Sequence, residues 1–362
     1  MLIEKLTVDT FRIPLPVAME ASAAGVMRAF DIVMVRITTE SGVTGVGYTA
    51  MHEGQGPAIA MIIDNVFRDN LMAQDSRNIE YLWQSMWHRH HYAGRGGPIS
   101  FAVAAVDTAL WDLKGRALGQ PLWQLLGGFD SRVKVYAGNI DLNLPVQELL
   151  EGANKSIDAG HNSVKMRLGK PTLAEDLSRV AAMRKHIGDG IELMADANEA
   201  WRIDKAIRAT QRLAEFDLVW LEEPLKPDDF AGYAHLRQKS PVPLAAGENL
   251  HTLEEFRQLI TLGGVDFPEP DLTTCGGITP FMKVARLAEA HNLPLTSHGA
   301  HQLHIHLLAA SPNAAYLEVH AFGLERFMAH AFEIDQGYAM APDRHGHGIE
   351  FDFDALMQFR VA

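Results

Sequence analysis

The 362 residues predict an α/β protein, in which a parallel barrel of strand–helix units follows a smaller α+β unit. Three observations carry that prediction. After Gly128, short β-rich runs recur with starts 20 to 30 residues apart, and a helical stretch follows each. Residues 1 to 50 alternate apolar and polar side chains between Gly and Ser turns, whereas residues 57 to 118 repeat apolar side chains at three and four.

In chain order, "KLTVDTFRI" and "DIVMVRITTESGVTGVGYTA" read as antiparallel strands, and "ISFAVAAVDTALWDLKGRALG" reads as a long helix. The barrel runs are "VKVYAG" from 133, "SVKMRLG" from 163, "IELMADAN" from 191, "LVWLEEP" from 218, "PLAAGE" from 243, "DFPEPDL" from 266, "PLTSHG" from 294 and "AAYLEV" from 314. Eight strands close such a barrel. The expected division is 1–128 for the α+β unit, 129–320 for the barrel and 321–362 for a tail that must return to the first unit or hang free.

Bulk composition narrows the function. An apolar content of 47% is enough for a large core, and no run approaches a membrane span. The start, "MLIEKLTVDTF", lacks a signal-peptide layout, and Cys275 is the only cysteine, so a cytoplasmic protein without an intrachain disulfide is expected. A net charge of -13 opposes binding to nucleic acid or an anionic membrane. An anionic small molecule would need a local focus of cations. "NSVKMRLGK" supplies one, because a strand there puts Lys165 and Arg167 on one face and Val164, Met166 and Leu168 on the other.

The acids fall at the ends of the same runs. Asp196, Glu222 and Glu248 end the third, fourth and fifth, each 26 residues from the next, and barrel closure brings such ends to one mouth. Three carboxylates so close repel unless a cation lies between them. Oxygen ligands suit a hard divalent ion, Mg²⁺ first and Mn²⁺ second, rather than Zn²⁺. Asp271, His298 and Glu318 end the last three runs, and an Asp beside a His can hold one ring nitrogen and leave the other as a base. A zinc reading of His298, His301 and His304 is weaker, since the last two fall in the following helix.

These motifs resemble the mandelate racemase group of the enolase superfamily over nearly the whole chain. They are "KMR", "DAN", "EEP", "GEN", "PD" before "CGGIT", "SHG" and "LE", in strand order. The resemblance implies a (β/α)7β modified TIM barrel under an α+β capping domain formed by the N-terminal third and the C-terminal tail. It implies Asp196, Glu222 and Glu248 as Mg²⁺ ligands and His298, paired with Asp271, as general base. Lys165 is implied to neutralise the substrate carboxylate, Glu318 to hydrogen-bond its enolate form and Asn198 to touch substrate. A protonated Glu318 is expected in that role. The shared first step is removal of a proton alpha to a carboxylate. A homo-oligomer is also expected.

Arg167 departs from the commonest pattern, in which a lysine serves as second base. Neutralising an arginine at pH 7 costs over roughly 7 kcal/mol, against about 4.6 kcal/mol for a lysine. One competent base argues against racemisation. The leading expectation is a Mg²⁺-dependent dehydratase of a sugar acid, an aldonate or aldarate, giving a 2-keto-3-deoxy acid. The alternative is a cycloisomerase of a sugar-acid lactone or anhydro sugar acid, since "HYAGRGG", "GENLHT" and "LEVHAF" look similar to the anhydrogalactonate cycloisomerases. A 2-hydroxy acid racemase and a non-catalytic binding relative rank behind both. Specificity is expected in capping loops, "MEASAAGVMRAF" and "MHEGQG", with Glu20, Arg28 and His52 reaching hydroxyls.

Overall fold

Strands β1 (Ile3–Ala21), β2 (Gly25–Thr39) and β3 (Thr44–His52) form an antiparallel sheet in that order. They come from a computed structural model that describes residues 1–21, 25–139, 141–320 and 322–361. Both faces of β2 are covered, which explains its unbroken apolar run. Ile32 and Met34 join the core shared with the barrel, while Val33, Val35 and Ile37 pack under the N-terminal helices. The longest of these helices, Pro98–Leu118, starts on a proline and stops at Gly119 in the left-handed region, φ 64°.

Helix and sheet approach closely at Gly47, where an added Cβ would lie 2.3 Å from both the Ala105 carbonyl oxygen and the Ala109 nitrogen. Gly47→Ala is therefore expected to destabilise the fold by about 1–3 kcal/mol, read from urea unfolding. An unchanged midpoint would mean that the helix moves aside freely.

The barrel strands are β4 (Arg132–Gly138), β5 (Ser163–Arg167), β6 (Glu192–Asp196), β7 (Leu218–Glu222), β8 (Leu244–Ala246), β9 (Phe267–Pro268), β10 (Leu295–Ser297) and β11 (Ala314–His320). They form one parallel ladder in the order β10-β11-β4-β5-β6-β7-β8-β9, and its two end strands pack against each other. This is the parallel barrel expected from the eight runs. No helix among the described residues is long and apolar enough to cross a membrane.

The tail does two jobs. Strands β12 (Ile334–Asp335) and β13 (Tyr338–Met340) form a hairpin that pairs antiparallel with the start of β4. Further on, the chain returns to the cap, where Arg12 N–H donates to Phe359 O and Val361 N–H to Thr10 O, both at 2.8 Å.

Cap and barrel are clasped at the loop after β9. Thr49 Oγ1 donates to Thr273 O and Trp83 Nε1 to Gly276 O, each at 2.8 Å. Asp107 accepts from Thr279 N at 2.8 Å and Thr279 Oγ1 at 2.7 Å. The glycines of "CGGIT" permit this. Gly277 has φ 107°, and a Cβ there would lie 2.5 Å from Asp107 Oδ2.

The capping segment differs from the loop expected over 19–30. Apart from Ser22, Ala23 and Ala24, which lie outside the described residues, it belongs to the arms of the β1–β2 hairpin. Pro14 and Pro16 disguise the strand, and the register shifts just beyond, between Pro14 and Met19.

Candidate active site

Strand alternation builds the site in layers inside the barrel. Tyr136, Met194, Trp220, Ala245 and Tyr316 form a buried cluster. Two residues further along the strands stand Asp196, Glu222 and Glu318, all without solvent exposure. The lower layer supports the upper, since Trp220 Nε1 donates to Glu222 Oε2 at 3.0 Å and Tyr136 Oη to Glu269 Oε1 at 2.9 Å. Gly138 is required on β4 because a Cβ there would lie 2.2 Å from Glu318 Oε1.

The two cations of β5 enter this layer. Lys165 Nζ donates to Glu222 Oε1 at 2.6 Å, lies 2.7 Å from Glu318 Oε1 and 3.8 Å from Asp196 Oδ2. Arg167 pairs with Asp196, and its backbone N–H donates to Asp141 Oδ1 at 2.9 Å. Burial alone would lower the pKa of either cation, but the facing carboxylates outweigh it and hold both above their usual values. Both are charged.

Asp196, Glu222 and Glu248 each offer an oxygen within 4.8 Å of the other two. Buried Glu248 Oε2 has no hydrogen bond among the described residues, and its carboxyl is pushed up by burial and by Glu222. An all-oxygen set with a donor to spare fits a hard divalent ion. Asn198 N–H donates to Asp196 Oδ1 at 2.7 Å, which fixes that carboxylate.

Beside it, His298 Nδ1–H donates to Asp271 Oδ2 at 2.9 Å, and Nε2 lies 3.3 Å from Glu248 Oε2. Asp271 is steadied by Thr273, whose N–H and Oγ1 donate to Oδ1 at 2.7 and 2.8 Å. Burial would lower the imidazole pKa, but Glu248, the Asp271 hydrogen bond and Glu318 raise it well above the ordinary histidine value. The zinc alternative has no geometry among the described residues. His304 is held between Gly299 O and the Leu272 N–H, and His301 faces Glu325 at 2.9 Å.

Glu318 departs from the protonated state expected of it. Burial favours the neutral acid, yet Lys165, then His320, His298 and Arg167, hold the carboxyl well below its usual range. It accepts from Gly299 N–H at 2.9 Å. The sequence showed the acids, but not that Lys165 sits between two of them.

A cavity of about 210 Å³ opens above, lined by Glu248, Asp271 and His298 at the chemistry and by Tyr48, Phe101, Phe322 and Leu324 on its walls. His52 lines it; Glu20 and Arg28 do not. The hairpin explains this, since Met27 and Ala29 face the cavity and alternation turns Arg28 to solvent. His320 was missed. Its only signal is the two-residue step Tyr316, Glu318, His320 along β11.

Two family models match the chain. One, described as enolase C-terminal domain-like, covers residues 148–355; the other, the mandelate racemase/muconate lactonizing enzyme N-terminal domain, covers residues 4–127. The chain belongs to the mandelate racemase/muconate lactonizing enzyme family of the enolase superfamily. Within this family it is 48% identical to a 3,6-anhydro-alpha-L-galactonate cycloisomerase of Streptomyces coelicolor, over 99% of this chain and all of that one. A solved structure of a Streptomyces coelicolor racemase with bound magnesium matches with TM-score 0.97 at 47% identity, over 99% of this chain and 100% of that one. An L-talarate dehydratase of a Polaromonas species, complexed with Mg and L-glucarate, matches with TM-score 0.95 at 33% identity, over 100% and 98%.

Proposed function

We propose that the protein is a cycloisomerase of an anhydro sugar acid, opening the ring by elimination next to the carboxylate. The observation that carries this reading is the single base. His298, oriented by Asp271, has Nε2 turned to the carboxylate cluster, and the second cation of β5 is a buried, charged arginine. Such a site removes one alpha proton on one face, and an arginine in place of the second base cannot accept one on the other, which suits elimination rather than racemisation.

The cavity supports a monoacid. No lysine or arginine is among its described lining residues, so the second carboxylate of an open-chain aldarate would find no cation there. Much of the wall is apolar, which suits a compact ring with few hydroxyls. The 48% identity to an anhydrogalactonate cycloisomerase points the same way.

In the proposed reaction, Lys165 and Arg167 hold the substrate carboxylate and oppose the charge that builds on it as the alpha proton leaves. His298 in its neutral form takes that proton on Nε2. The electron pair forms a carbon–carbon double bond, the ring C–O bond breaks, and the departing oxygen takes a proton back from His298. The enol then becomes the 2-keto-3-deoxy acid. Asp196, Glu222 and Glu248 would hold Mg²⁺, which would supply Lewis-acid charge stabilisation to the enolate. Glu318, ionised before substrate arrives, takes up a proton if it donates to the doubly charged carboxylate.

Dehydration of an aldonate is the second reading, favoured by the same single base and by the dehydratase likeness. It differs only in whether the departing oxygen stays tethered. Incubation with 3,6-anhydro-alpha-L-galactonate and a panel of aldonates and sugar-acid lactones separates the two. Cycloisomerisation gives a product of unchanged mass; dehydration gives one lighter by a water. Turnover of aldonates alone would reverse the order.

Chelation is expected to silence the enzyme and added Mg²⁺ to restore it, followed by product formation. Full activity in the chelated protein would contradict the metal assignment.

A further inference from the structure

His320 sits two residues beyond Glu318 on β11 and lines the cavity, yet the reaction above does not use it. Its side chain is 2% exposed, and neither ring nitrogen has a hydrogen-bond partner among the described residues. Neither nitrogen is committed to another described protein group, so both are available to a molecule in the cavity that the ring lines. The ring is also held firmly, stacked on Phe322 at 3.8 Å between centroids and edge-on to His298 at 5.5 Å.

His298, Glu318 and His320 each present one atom within 4.8 Å of the other two. A point shared by three such atoms lies within about 2.8 Å of each, which is hydrogen-bonding distance. Three atoms so placed can converge on a single oxygen. One belongs to the proposed base and another to the carboxylate that faces the enolate, so an oxygen there is close to the reacting carbons.

We propose that His320 is a catalytic residue that donates a ring N–H to the oxygen leaving the substrate's beta carbon. This rests on the elimination reading above. As the C–O bond breaks, the electron pair moves to that oxygen. His320 stabilises the developing charge while His298 returns the abstracted proton to it, and His320 ends in the protonation state in which it began. Burial outweighs Glu318 and keeps this imidazole neutral, which suits a hydrogen-bond donor.

The test compares His320→Phe with the wild-type holoenzyme on 3,6-anhydro-alpha-L-galactonate and the aldonate panel in D2O. Product formation and loss of the alpha-proton NMR signal from unreacted substrate are followed together. The Phe variant keeps the stack on Phe322, so kcat should fall about 100-fold while alpha exchange persists. The ratio of exchange to product should rise accordingly. His320→Leu and His320→Asn, similar in size, form a second pair in which only Asn keeps a donor and recovers part of the rate. Wild-type kcat in His320→Phe, or exchange and product falling together, would overturn the inference alone. So would a second metal ion per chain that His320→Phe removes. A wild-type enzyme that neither exchanges nor converts any of these acids would instead sink the elimination reading itself.

Discussion

His298→Asn is expected to lose turnover by about 10³–10⁴-fold or more while remaining folded. The loss follows from what Asn lacks. Its amide can still donate to Asp271, as Nδ1 does at 2.9 Å, but it has no lone pair basic enough to take a proton from carbon. The environment deepens the effect, because Asp271, which accepts from Nδ1, stabilises the imidazolium that forms when His298 accepts the proton. Kinetics on the converted sugar acid, together with circular dichroism and magnesium affinity, check this. Substantial product from the Asn variant would assign the base elsewhere.

Arg167→Lys carries the second large effect, and it has two parts. The guanidinium is buried, pairs with Asp196, and is held charged by Glu248, Glu222 and Glu318. Losing its fixed fork removes a charge-assisted contact of about 1.5–3 kcal/mol, a fall of about ten- to hundredfold in the native rate. The second part is a gain. A lysine at this position needs about 4.6 kcal/mol to become neutral at pH 7 and an arginine over roughly 7 kcal/mol, and the facing carboxylates add to either cost until a metal ion neutralises them. Alpha-proton exchange on the second substrate face should therefore appear, measured in D2O with both epimers. Unchanged kinetics and no new exchange would make Arg167 peripheral.

The barrel was legible because each parallel strand is a short apolar run ending in a polar motif, and the loop glycines mark where runs stop. The gathering of Asp196, Glu222 and Glu248 followed from their spacing alone, since one strand–helix unit separates each pair. The cap was harder. Pro14 and Pro16 interrupt the alternation that identifies a strand, so the hairpin read as a loop and Arg28 as an inward residue. Charge state was illegible for a different reason: Glu318 is ionised because of where Lys165 reaches, a contact made across the barrel. His320 was one histidine among 17, and nothing short of its place on β11 separates it from the rest.

Thr273 belongs to two systems at once. Its carbonyl receives Thr49 from the cap sheet, and its own N–H and hydroxyl steady the carboxylate that orients His298. The cap sheet is thus wired to the base through Thr273, and a transplanted lid from a distant relative would have to bring an equivalent of Thr49 with it. Heat that loosens the lid should blunt the chemistry before the barrel itself melts.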